Sequence, residues 1–160
     1  MAHRIGLGYD IHRLIPKESG SIVLGGHQIP CQCALVAHSD GDALLHALVD
    51  ALLGALALGD IGEFFPDTDP AHKGRDSRDF VRKTLALPAF ATWKIANLDC
   101  NIITQVPRLG PHKPAIRQSL AELLNLNLDC IGVKARTNER CDAIGQGQAL
   151  AVQVIVLLEG

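Results

Sequence analysis

Apolar and polar residues alternate strictly near the start of the chain. Ile5, Leu7, Tyr9 and Ile11 project one way, and Gly6, Gly8, Asp10 and His12 the other. A period of two is that of a β-strand, and it sets Asp10 and His12 together on the strand's less apolar face. Pro16 and Gly20 mark a loop. Ser21-Ile22-Val23-Leu24, the turn pair Gly25-Gly26 and a short apolar stretch near Ile29 then predict further strand. Ser39-Asp40-Gly41-Asp42 carries helix N-cap chemistry, and the segment it opens is helical in composition to about Leu58.

From Gly59 to Ser77 the chain holds Gly, Pro and Asp in turn-forming combinations, Gly59-Asp60-Ile61-Gly62 and then Phe65-Pro66-Asp67-Thr68-Asp69-Pro70. Irregular stretches this long in a compact domain tend to be lids or binding loops. Ser77 is placed to cap a second helix ending before Pro88. Leu98, Cys100 and Ile102 alternate with Asn97, Asp99 and Asn101 as another strand. Pro114 opens a helix with Ile116, Leu120, Leu123 and Leu124 on one face. Ile131 to Thr137 and Leu150 to Leu158 read as two final strands. The order β-β-α-α-β-α-β-β predicts an α/β (α+β) sandwich, with helices packed on a mostly β layer. At 160 residues, positions 1–160 make a single domain.

Composition narrows the function. Hydrophobic residues at 48% and charged residues at 20% exclude a disordered chain. The formal net charge is −2, without the basic excess of a nucleic-acid binder. Six aromatic residues (Tyr9, Phe64, Phe65, Phe80, Phe90 and Trp93) offer no base-stacking platform. Five scattered cysteines, Cys31, Cys33, Cys100, Cys130 and Cys141, form no CxxC pair and read as reduced thiols of a cytoplasmic protein. Cys31-x-Cys33 lacks the second pair that a structural zinc site needs. The stretch from Ala43 to Leu58 is shorter than a membrane span and is interrupted by His46 and Asp50. A strand pattern beginning by Arg4 leaves no room for a transit or secretory peptide. The expectation is therefore no nucleic acid and no membrane.

Candidate chemistry gathers around the first helix. Asp42, His46 and Asp50 follow one another at intervals of four and stack on one face of an otherwise apolar segment. An unpartnered buried carboxylate is expensive, so this ridge faces water, a cation or a site. Either it is the solvated side of an amphipathic helix, or it belongs to a functional centre. Asp10, His12 and His46 together make a two-histidine, one-carboxylate set. Three protein ligands with an open fourth position is the pattern of a catalytic zinc site, although spacing along the chain does not by itself bring the three together. Asp50, one turn beyond His46, is placed to orient that imidazole. His38 and Ser39 precede a helix N-terminus that can hold a phosphate oxygen, provided metal ions neutralise Asp40 and Asp42 nearby.

The segments Gly8-Tyr9-Asp10-Ile11-His12, Ala37-His38-Ser39-Asp40-Gly41-Asp42, His46 through Ala55, and Leu58-Gly59-Asp60-Ile61-Gly62 through Phe65-Pro66-Asp67-Thr68-Asp69 stand in order. They resemble the 2-C-methyl-D-erythritol 2,4-cyclodiphosphate synthase family of the non-mevalonate isoprenoid pathway over essentially the whole chain. The resemblance implies a lyase that closes 4-diphosphocytidyl-2-C-methyl-D-erythritol 2-phosphate into a cyclic diphosphate and expels CMP. It implies zinc, or another divalent transition metal, on Asp10, His12 and His46. Glu139 would hold magnesium or manganese through the diphosphate, and Thr137 would complete the catalytic set. His38, Ser39, Asp60, Gly62 and Asp67 match positions that hold the sugar phosphate, and Lys73 would be a phosphate contact of the nucleotide site. Thr104, Val106, Pro107, Arg108, Leu109 and Gly110, with Ala135, Arg136 and Thr137, match the cytidine pocket. The family is a homotrimer with active sites between adjacent subunits.

Departures from the family pattern fall near the C-terminus. Arg136 and Asn138 change side chains beside the nucleotide phosphates. Ala143 and Gln146 stand where some relatives carry an aromatic and a cation associated with an isoprenoid diphosphate on the trimer axis. Weak or absent binding of such a ligand is expected. Two rivals to the cyclase are a metal phosphohydrolase that activates water and a non-catalytic trimeric binding protein.

Overall fold

The computed structural model describes residues 2–37, 39–66, 68–72 and 74–160. Five strands form one sheet: β1 (His3–Leu24), β2 (His27–Val36), β3 (Lys94–Thr104), β4 (Ile131–Arg136) and β5 (Ala149–Glu159), in the order β2-β1-β5-β3-β4. β5 is central, antiparallel to β1 on one side and β3 on the other, while β3 and β4 run parallel. The helices are α1 (Ala43–Ala55), α2 (Ile61–Phe64), α3 (Ser77–Leu85), α4 (Lys113–Leu124) and α5 (Asp142–Gly145). The mixed α+β architecture agrees with the sequence expectation.

Several local expectations need correction. Pro16 to Gly20 is not a loop between strands. β1 runs through it, and the pairing with β2 slips there, an irregularity that accommodates a residue with no N–H to donate. α1 stops at Ala55 rather than near Leu58, because Ala57 and Gly59 take left-handed backbone conformations, at φ 55° and 106°. α3 is capped by Asp76, whose carboxylate accepts the Arg78 N–H, and Ser77 is its first residue. The stretch from Gly59 to Ser77 is not wholly irregular, since it contains α2 and a 3₁₀ turn at Pro70–His72.

The register between β1 and α1 positions everything that follows. Gly6 and Gly8 face the helix so closely that a Cβ would stand 1.8 Å from the Ala51 carbonyl oxygen at one and from the Ala47 carbonyl oxygen at the other. Two residues of strand advance roughly 6.6 Å, close to the roughly 6 Å of four helical residues. Moving from Gly6 to Gly8 thus matches one turn from Ala51 back to Ala47. Continuing by the same step brings Asp10 and His12 to the first turn of α1, beside His46. The more apolar strand face points the other way, and Ile5, Leu7, Tyr9 and Ile11 are exposed there.

α1 has ten buried residues out of thirteen, among them Leu44, Leu45, Leu48, Leu52 and Leu53. They share one core with Leu98, Cys100 and Ile102 of β3, with Val152, Val154 and Val156 of β5, and with Ile116 and Leu120 of α4. No helix among the described residues is long and apolar enough to cross a membrane.

Candidate metal centre and nucleotide cavity

Asp10, His12 and His46 meet. His12 Nε2 lies 2.8 Å from Asp10 Oδ2, His46 Nδ1 lies 3.1 Å from the same oxygen, and the two ring nitrogens are 3.4 Å apart. Ligands about 2.0–2.1 Å from a tetrahedral ion stand roughly 3.3 Å from one another. The spacing of the three donors therefore fits a single divalent ion with its fourth position open. Among the described residues this is the one group of three or more His, Cys, Asp or Glu side chains able to hold a metal ion.

The electrostatics are those of a coupled acid–base cluster. Burial opposes ionisation of Asp10, but hydrogen bonds and charge from His12 and His46 outweigh it and hold the carboxyl well below the usual carboxylate range. Burial likewise opposes a charged His12, yet Asp10 wins and raises it, helped by a hydrogen bond to the Val36 backbone.

The cavity over the cluster is lined by Asp10, His12, Ser39, His46, Asp50, Ile61, Phe65, His72 and Phe80. Phe80 packs 6.1 Å from the His46 ring and 4.8 Å from Phe65, ring centre to ring centre, which gives the centre an apolar wall. α2 forms one rim. Asp60 caps it by accepting the Glu63 N–H at 3.1 Å, and exposed Asp60 and Gly62 flank the lining residue Ile61. Ser39 lies within the cavity. The expectations for His38, Asp67 and Lys73 fall outside the described residues.

The ridge drawn from Asp42, His46 and Asp50 does not hold as a unit. Asp42 is fully buried and is the N-cap of α1. Its carboxylate accepts the N–H groups of Gly25 (2.9 Å), Gly26 (2.7 Å), Leu44 (3.1 Å) and Leu45 (3.0 Å), and so ties the β1–β2 turn to the helix. A capping side chain belongs to the helix end and not to a face, which spacing of four cannot reveal. Asp50 does not orient His46; its carboxylate accepts the Ile61 N–H at 2.8 Å and anchors α2. Ser39 and Ser77 take the far side of His46 instead, with hydroxyls 3.0 and 2.9 Å from Nε2. Asp40, Ser77, Phe65, His72 and Phe80 had no signal in the spacing, because they lie outside β1 and α1.

A second cavity lies at the C-terminal ends of β3 and β4. Thr104, Gln105, Pro107, Arg108, Leu109, Gly110, Pro111, Lys113, Ala135, Arg136 and Thr137 line it. Val106 is not in the lining; its carbonyl accepts the Thr104 hydroxyl and shapes the turn. The Gln105 side-chain oxygen is buried without a hydrogen-bond partner. Glu139 is exposed, accepts the Thr137 hydroxyl at 2.8 Å and stands apart from the histidine cluster of its own chain. The two cavities share no lining residue.

A helix-covered mixed sheet, a convergent two-histidine, one-carboxylate donor set and a separate pocket define an α+β protein built around a candidate divalent-metal centre. The YgbB family model matches residues 3–159, and the chain belongs to that family. It is 46% identical over 159 residues to the 2-C-methyl-D-erythritol 2,4-cyclodiphosphate synthase of Dechloromonas aromatica, covering 99% of this chain and 98% of that one. It is 52% identical over 155 residues to the synthase of the same name from Pseudomonas aeruginosa, covering 97% and 98%.

Solved structures agree. A CDP-bound 2C-methyl-D-erythritol-2,4-cyclodiphosphate synthase matches at TM-score 0.88 and 40% identity, covering 98% of this chain and 100% of that one. A Plasmodium falciparum IspF–CDP complex matches at TM-score 0.84 and 34% identity, covering 98% and 96%. The bifunctional IspDF of Campylobacter jejuni matches at 0.90 and 36% identity, with this chain spanning 42% of that longer protein.

Proposed function

We propose that residues 1–160 act as one catalytic unit converting 4-diphosphocytidyl-2-C-methyl-D-erythritol 2-phosphate to 2-C-methyl-D-erythritol 2,4-cyclodiphosphate and CMP. The observation that carries this reading is the convergence of Asp10, His12 and His46 in a chain whose full-length relatives are synthases of that name. In the reaction an oxygen of the substrate's 2-phosphate bonds to the β-phosphorus. The bond from that phosphorus to the bridging oxygen breaks, and the oxygen leaves on CMP. The attacking phosphate is already ionised, so no protein nucleophile is needed, and the work is positioning and charge neutralisation.

Asp10, His12 and His46 would hold zinc or another divalent transition metal, and Glu139 would hold magnesium or manganese. Such ions supply Lewis acidity and a template for the phosphates. His38, Ser39, Asp60, Gly62 and Asp67 hold the methylerythritol phosphate, and Lys73 contacts a nucleotide phosphate. The cavity of Thr104, Pro107, Arg108, Leu109, Gly110, Ala135, Arg136 and Thr137 takes the cytidine, where the unpartnered Gln105 oxygen is an acceptor awaiting a donor. CDP bound to two similar structures supports a cytidine nucleotide there.

The assembly we propose is a homotrimer, each site combining one subunit's histidine cluster with its neighbour's nucleotide cavity. Two features support it: the cavities have separate linings, and the outer sheet face leaves Ile5, Leu7, Tyr9, Ile11 and Ile155 uncovered. The protein works in the cytoplasm.

Incubation of purified protein with substrate, zinc and magnesium is expected to release CMP and cyclic diphosphate with no free phosphate. Inorganic phosphate with an uncyclised product would identify a phosphohydrolase. Absence of CMP altogether would leave a non-catalytic binding protein.

A further inference from the structure

We propose that Asp40, acting through the Ser77 hydroxyl, fixes His46 in the tautomer that leaves Nδ1 free as a metal ligand, which makes Asp40 and Ser77 positioning residues of the centre. Ser77 is fully buried at the first turn of α3. Its N–H donates to Asp40 Oδ2 at 3.0 Å, and its hydroxyl donates to Asp40 Oδ1. A serine hydroxyl has a single proton. With that proton given to the carboxylate, Ser77 Oγ offers only a lone pair to His46 Nε2, 2.9 Å away.

Ser77 thereby favours a hydrogen on Nε2 and leaves the Nδ1 lone pair for a metal ion, against the Asp10 carboxylate 3.1 Å from Nδ1, which in a metal-free centre draws the ring hydrogen to its own side. The carboxylate is itself held, since Asp40 Oδ1 accepts the Asp42 N–H at 3.2 Å and the Asp40 N–H donates to the Arg75 carbonyl at 3.2 Å. A ligating histidine whose second nitrogen is pinned by a hydrogen-bond chain is the usual way a protein sets ring orientation and ligand basicity. Ser39 Oγ, 3.0 Å from the same Nε2, is thereby relieved of donating to the ring. It accepts the Gly41 N–H at 3.2 Å and keeps its own proton for an anion in the cavity.

This inference rests on the metal reading above, but the tautomer can be measured with neither metal nor substrate. Long-range proton–nitrogen correlation spectra of isotopically labelled, metal-free protein at mildly alkaline pH are expected to show a larger share of His46 protonated at Nε2 in the wild type than in Asp40→Asn. In Asp40→Asn the amide NH₂ can donate to Ser77 Oγ, turning the hydroxyl proton toward Nε2 and moving the ring proton to Nδ1. Zinc affinity, measured by chelator competition, should fall by about 10–100-fold while the thermal transition of the metal-free protein persists. Ser77→Ala should leave a mixture of tautomers and an intermediate loss. The same share of the two His46 tautomers in wild type and in a folded Asp40→Asn, with unchanged zinc affinity, overturns the proposal. Should Asp40→Asn fail to fold, the wild-type and Ser77→Ala spectra still decide. A wild-type protein that binds no zinc removes the metal reading, and the tautomer measurement then judges the relay separately.

Discussion

Asp42 and His46 sit one helical turn apart, yet one closes the helix end and the other opens a site. Burial pushes the Asp42 carboxyl up, and the N–H groups of Gly26, Gly25 and Leu45 offset only part of that. Its removal would strand four backbone donors in the protein interior. Asp42→Ala is therefore expected to destabilise the fold by about 3 kcal/mol, read from denaturant unfolding. His46→Ala is expected to behave oppositely, losing stoichiometric zinc by elemental analysis and losing CMP release, with the unfolding midpoint of the metal-free protein little changed. Full activity without bound metal would refute the assignment. Asp10, His12 and His46 were visible in the sequence as a donor set, because residue type and local period mark them. The part of Asp42 was hidden, since its partners Gly25 and Gly26 lie across a turn that spacing does not connect to the helix.

At the scale of elements, the two glycines of β1 decide whether the donor set can close. Gly8→Ala drives a methyl group into the Ala47 carbonyl, a backbone atom that cannot swing aside. The helix must move away from the strand. We expect a loss of about 3 kcal/mol, together with weaker zinc binding, because β1 carries two ligands and α1 the third. Calorimetric zinc titration of the folded variant checks the second half; an undiminished affinity would show that the register is not what aligns them. Strand and helix periods made β3, β4, β5, α3 and α4 readable in outline. Pro16 misled because an irregular pairing absorbs it, and Ser77 misled because Asp76 reaches the same helix end first.

For the whole molecule, the uncovered sheet face is the feature with the largest consequence. Leu7→Glu places a charge among Ile5, Tyr9 and Ile155 without touching the core, so it should yield a folded monomer by light scattering. CMP release should fall with it, since each subunit would then lack its neighbour's nucleotide cavity; an active monomer would sink the shared-site reading. α5 exposes Ala143 and Gln146, which supply neither a ring nor a cation. Calorimetry with geranyl diphosphate is expected to show weak or no binding, and tight binding would reverse that expectation.

Residue identity and local periodicity alone determined the α+β class, the strand and helix order in outline, and which three side chains have the chemistry of a metal centre. Only the tertiary structure decided that the three meet, that Asp42 and Asp50 hold backbone instead, and that Asp40 and Ser77 stand behind His46. Local patterns arise from covalent neighbours a few residues apart. The site depends on the distance between a strand and a helix set by glycine-on-backbone packing, a quantity that no single segment contains.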